Sequence, residues 1–128
     1  MNHERGAVIT IGGEEYELLL TTRATKEIAA RYGGLEHLSD KLLNNENFEM
    51  GLSEIVWLIT VLANQSVIIH NLCHPDEKRS LLTEEAVELL TTPYDLAGFT
   101  DLISESMAKG LKRNIESEDN SKNAEAVG

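Results

Sequence analysis

An α+β fold in which helix predominates, with a small N-terminal β-hairpin packed on a bundle of four to five helices, is what the sequence of 128 residues predicts. Three observations predict it. Apolar residues alternate on both sides of the Gly12-Gly13 pair, as in a hairpin. They recur at three and four residues through the later segments, as on helix faces. Threonines at N-cap positions, Thr22, Thr83 and Thr92, mark where those segments begin.

The hairpin is expected over residues 7–21. Ala7, Ile9 and Ile11 alternate with Val8 and Thr10, and Tyr16, Leu18 and Leu20 with Glu15, Glu17 and Leu19. A loop of two residues (Gly12, Gly13) or of four (12–15) puts Ile9, Ile11, Tyr16 and Leu18 on one face, whereas a loop of three sets apolar against polar. An even loop is therefore favoured. A lone two-stranded ribbon is marginal in water, so helices must cover it.

Helices are expected over about 22–115. Thr21 or Thr22 can cap the first, 23–32, in which Ala24, Ile28 and Tyr32 stand four apart and which Gly33-Gly34 ends. Leu35, Leu38 and Leu42 mark a short second helix, after which Asn44, Asn45 and Asn47 read as a polar loop that includes Phe48. The apolar run 55–69 is hydrophobic nearly all round, as a central core helix is; its β-branched content makes a strand the competing local reading, and its length favours helix. His74-Pro75-Asp76 forces a turn. Thr83 then caps a helix whose first turn carries Glu84 and Glu85, and Thr92-Pro93-Tyr94-Asp95 opens the last one, with Asp95 placed as a capping-box acid. Leu96, Phe99, Leu102, Ile103, Met107, Leu111 and Ile115 give that helix its apolar stripe. The reading is one globular domain over 1–115 and a disordered acidic tail over 116–128, where Val127 is the one large apolar residue.

Composition narrows the function. Eleven Lys and Arg against twenty-two Asp and Glu leave a formal charge of −11, which argues against binding DNA, RNA or an anionic membrane surface and leaves basic partners open. The single cysteine, Cys73, excludes an intramolecular disulfide and fits a reducing compartment. Residues 52–72 are as long as a membrane span, but Glu54, Asn64, Gln65, Ser66 and His70 interrupt them, so a buried helix is the better reading. The N-terminus lacks the apolar core of a signal peptide.

Chemistry-bearing groups are few. His70, Cys73 and His74 sit within one helical turn and form the sole metal-like cluster; with no second Cys or Cys-His pair to complete a site, they read as a helix end rather than as ligands. Cys73 as a nucleophile has no support beyond adjacency to those histidines, and a buried or half-buried thiol is expected. The glycine pairs are not followed by a phosphate-binding signature. No catalytic residue and no cofactor is expected. Trp57, Phe99 and Met107 are core residues by spacing, yet Phe48, Phe99 and Met107 are also the large apolar candidates for anchoring a partner.

The order of these elements resembles a known family. Two short strands carrying Ile-Gly-Gly-Glu-Glu-Tyr-Glu-Leu are followed by a helix closed by Gly33-Gly34 and by a long apolar helix. Leu-Thr-Glu-Glu-Ala-Val-Glu-Leu-Leu then precedes a last amphipathic helix, and the whole, over about 8–115, resembles the tail assembly chaperones of long-tailed bacteriophages and prophages. The resemblance implies a non-enzymatic protein of the bacterial host cytoplasm. Such proteins bind the tape measure protein, promote polymerisation of tail tube protein around it, and are absent from the mature virion. In many phages a ribosomal frameshift also produces an extended form. Self-association stays open. The reading from another class is an acidic inhibitor or DNA mimic that blocks a basic nucleic-acid-binding partner; it requires acids along one exposed face, whereas here they are scattered among caps, turns and helix surfaces. A metal-responsive regulator using His70, Cys73 and His74 is the third.

Overall fold

The computed structural model describes the backbone of residues 6–35 and 48–127, and the side chains of 6–35 and 51–111. Within these bounds the fold is α+β and mostly helical. Strands β1 (Gly6–Ile11) and β2 (Glu14–Leu19) are followed by helices α1 (Thr22–Tyr32), α2 (Phe48–Cys73), α3 (Glu84–Leu90) and α4 (Pro93–Val127). The helix expected around Leu38 and Leu42 and the polar stretch at Asn44, Asn45 and Asn47 lie outside the described residues.

Parity selects the two-residue loop. Gly12 and Gly13 take φ of 60° and 82°, the positive values that a type I′ turn needs at both central positions. The antiparallel register then sets Ile9 opposite Tyr16 and Ala7 opposite Leu18, all four buried. The two faces are not split into dry and wet, because α2 packs on β2 and α4 on β1, leaving Glu17 and Leu19 buried as well.

Caps follow the sequence closely. Thr21, rather than Thr22, caps α1 by accepting the Ala24 N–H, and Gly33 at φ 74° ends it. Thr83 accepts from Ala86 N–H to start α3. At the start of α4 the capping box is reciprocal, Thr92 Oγ1 accepting from Asp95 N–H and Asp95 Oδ2 from Thr92 N–H.

The run 55–69 is helical throughout, and its Leu58, Ile59, Leu62, Ala63 and Val67 are fully buried. By length and composition alone, Gly51–Cys73 could cross a membrane; here it is the core against which β2, α1, α3 and α4 pack. Phe48 is not in a loop but opens α2, since Glu49 and Met50 are good helix formers and carry the ladder upstream of the apolar run. Residues 116–127 are helical where composition predicts disorder. That expectation came from the lack of apolar area to bury, whereas a helical ladder is satisfied within its own segment once nucleated.

Two small residues of α4 fix its distance from the hairpin. Ser106, fully buried, accepts the Ala7 N–H at 3.2 Å and donates to the Leu102 carbonyl at 2.9 Å. Gly110 is so close to the end of β2 that an added Cβ would lie 2.7 Å from Leu20 Cβ.

Candidate functional site

Met107 is 9% exposed and belongs to the core cluster, against which Phe99 packs partly buried. Their place in the sequence stripe of α4 assigns them to its inner face, where Met107 is buried and Phe99 half-buried. The side chain of Phe48 lies outside the described residues. Trp57 is occupied too. It meets Tyr32 edge-on at 6.0 Å between centroids, and the Arg31 guanidinium lies 4.3 Å from its ring centre. Glu54 completes this clasp between α1 and α2, pairing with Arg31 at 3.3 Å and accepting from the Tyr32 hydroxyl. Burial, and then the bond to Glu54, push the Tyr32 phenol up.

The cluster at the end of α2 has its own local explanation. His70 and His74 stack with ring centroids 4.7 Å apart, and each ring pairs with a main-chain carbonyl, that of Glu77 at 2.8 Å and that of His70 at 3.2 Å. Among the described residues no three His, Cys, Asp or Glu side chains are grouped to hold a metal ion. Cys73 is exposed rather than buried or half-buried, because α2 outruns the core at this end and leaves Leu72 exposed beside it.

The exposed apolar side chains are others. Leu89 and Tyr94 are 75% and 88% exposed, and Leu90 and Leu81 are 55% and 53% exposed. Leu81 and Leu90 line an open groove of about 440 Å³ between the hairpin turn and α3, together with Ile11, Tyr16, Leu82 and Ala86. Gly12 makes the groove possible. Its positive φ turns the chain, and a Cβ there would stand 2.9 Å from Leu90 Cδ1. A smaller groove of about 230 Å³ runs along the other side of α3, lined by Leu52, Val56, Glu88, Pro93 and Leu96 among others. Within α3, Val87 is buried, Ala86 and Leu90 face the larger groove, and Glu88 faces the smaller; Leu89 is left pointing outward.

The polar groups of the larger groove are engaged with one another. Tyr16 donates to Glu14 Oε2 at 3.1 Å, and Arg79 pairs with the same oxygen at 3.4 Å while its guanidinium lies 5.4 Å from the Tyr16 ring centre. Burial, followed by that bond to Glu14, raises the Tyr16 pKa. The far wall, residues 79–83, is neither helix nor strand, and its main chain is bonded at Arg79 by Asn71 and at Leu82 by Asn64, both of α2. Beside these polar groups the groove offers the apolar side chains of Ile11, Leu81, Leu82 and Leu90. Apolar side chains along an open groove are what helix-in-groove contacts use.

Sequence reasoning missed these leucines because α3 is a single short helix with four apolar residues, Ala86, Val87, Leu89 and Leu90, among its seven, and periodicity over so short a span does not say which of Val87, Leu89 and Leu90 turns inward. The signal that existed was the excess itself, since seven residues on a surface helix rarely need that many. Comparison of the chain with protein-family models, with curated proteins and with solved structures gives no match.

Proposed function

We propose that this protein is a tail assembly chaperone of a long-tailed bacteriophage or prophage. It binds a helical segment of the tape measure protein in the host cytoplasm, keeps it soluble, and promotes polymerisation of tail tube protein around it, without enzymatic chemistry. The observation that carries the reading is the exposed leucine surface of α3 beside an open groove of mixed apolar and polar lining, on a chain with a net charge of −11. A long helical partner exposes apolar stripes that aggregate until the tube encloses them. A small acidic protein that covers such a stripe supplies both the apolar contact and the charge that resists association. The family resemblance of the sequence supports the same role.

Co-expression with the tape measure protein encoded beside it, followed by capture at low salt and at about 0.5 M salt, where the Debye length is below 8 Å, tests the proposal. Apolar recognition predicts capture at both, since exposed ion pairs are individually weak. No capture at either salt overturns the chaperone reading. Capture that vanishes with salt favours an acidic inhibitor of a basic partner.

A further inference from the structure

We propose that the Leu81, Leu89 and Leu90 surface selects an amphipathic helix whose apolar stripe is flanked by lysine and arginine. The inference rests on the chaperone reading and specifies the chemistry of the partner segment. Its first ground is continuity. Leu81 and Leu90 border one groove, and Leu89, the residue before Leu90 in α3, is exposed on the outward side of the same helix, so these three leucines belong to one helix and the wall that it faces.

Charge is the second ground. α3 carries Glu84 and Glu85, and Glu88 on the side of the smaller groove, all exposed, and no basic residue. Glu14, exposed, lines the groove on the hairpin side, across from α3. The cation in the groove wall, Arg79, is already shared with Glu14 and Tyr16. A second copy of this chain would set these acids against their own kind, a juxtaposition of like charges that selects against that pairing. The same acids attract a stripe bordered by cations. Apolar contact therefore supplies the affinity, while the acidic border rejects acidic helices and speeds the encounter with basic ones.

Three labelled peptides of about 20 residues, roughly the length of six helical turns, test this against the full chain by fluorescence anisotropy at about 0.15 M salt. One has a leucine stripe with lysine flanks, one the same stripe with glutamate flanks, and one lysine flanks with serine in the stripe. The first should bind at least about tenfold more tightly than either control, a difference of about 1.4 kcal/mol. Its amide shifts should fall on the hairpin turn and on residues 81–90. Leu89→Lys, at a side chain too exposed to matter for folding, should weaken it about tenfold, and the triple change of Glu84, Glu85 and Glu88 to Gln should erase the preference over the glutamate-flanked peptide. Equal binding of the two leucine peptides, equal binding of the serine peptide, no binding of any of the three, or an unchanged affinity in Leu89→Lys each overturns the inference. Tape measure capture separates the two proposals. Capture that Leu89→Lys leaves untouched sinks this surface and spares the chaperone reading, whereas absent capture by the unmodified chain sinks the chaperone reading.

Discussion

Asn64 binds the main chain of Leu82 through both ends of its amide, accepting the Leu82 N–H and donating to the Leu82 carbonyl, each at 2.7 Å. Asn71 repeats the pairing with Arg79, at 2.8 and 3.0 Å. The two asparagines lie about two helical turns apart, roughly 10.5 Å along the axis, and Leu82 and Arg79 are separated by roughly 10 Å of extended chain. The matched lengths let one helix hold this irregular segment in place at two points, and the segment is the wall of the leucine groove. Replacing Asn64 by Ala strands a buried N–H and carbonyl and should cost about 1–3 kcal/mol, measured by denaturant unfolding. Asn71→Ala, at an exposed pair, should cost less. The reverse order would show that the segment is held by something other than these bonds.

Two glycines of α4 should respond to alanine in opposite directions. Gly98 has open space where a Cβ would go, so Gly98→Ala should stabilise the protein by about 0.5–1 kcal/mol through helix propensity. Gly110→Ala meets Leu20 Cβ at 2.7 Å and should destabilise by about 1–3 kcal/mol. Thermal melts of the two variants side by side decide it; a gain in both would mean that α4 slides freely over the hairpin.

Glu17 is buried, and its Oε2 has no hydrogen-bond partner. An unsatisfied buried polar oxygen is costly, so Glu17→Met, similar in length and apolar, should raise stability by about 1 kcal/mol. A lower melting temperature in this variant would reveal a compensating role for the carboxylate.

Alkali should unfold the protein partly through its tyrosines. Tyr16 and Tyr32 are raised above the ordinary value of 10.0, by burial first and by their bonds to Glu14 and Glu54 next. A native state that favours the neutral phenol holds that stability fully below about pH 10 and loses it as pH rises through the folded values. Tyr32→Phe should therefore flatten the fall of melting temperature above about pH 10. An identical slope in the variant and the parent would remove Tyr32 from the account.

Deleting residues 116–128 should lower the helical signal in circular dichroism while moving the melting temperature by less than about 2 °C, because the segment has almost no apolar area to bury. A larger fall would place the end of α4 against the body of the protein.

What the sequence made legible is what is decided locally. The even hairpin loop, Thr83 as a cap and the Thr92–Asp95 box depend on residues within a few positions of one another. Asn64 and Asn71 could be seen as polar intrusions in an apolar helix, but their meaning lay in a segment that the chain reaches only after the turn at Pro75. Ser106 and Gly110 were silent for the same reason, their partners being Ala7 and Leu20. In α4 the stripe placed Met107 inside, whereas in α3 only the packed structure shows which leucines are left over.

The contacts of α4 with β1 also set an order of events during synthesis. Ser106 and Lys109 close onto Ala7 and Gly6, so the hairpin waits for nearly the whole chain before its last cover arrives. At about 5–20 residues per second, the ribosome needs roughly 5–20 s to pass from the end of β2 to Gly110. Throughout that interval the apolar faces of the hairpin and of α2 lack α4, which makes the nascent chain itself a candidate for rescue by the cell's folding machinery.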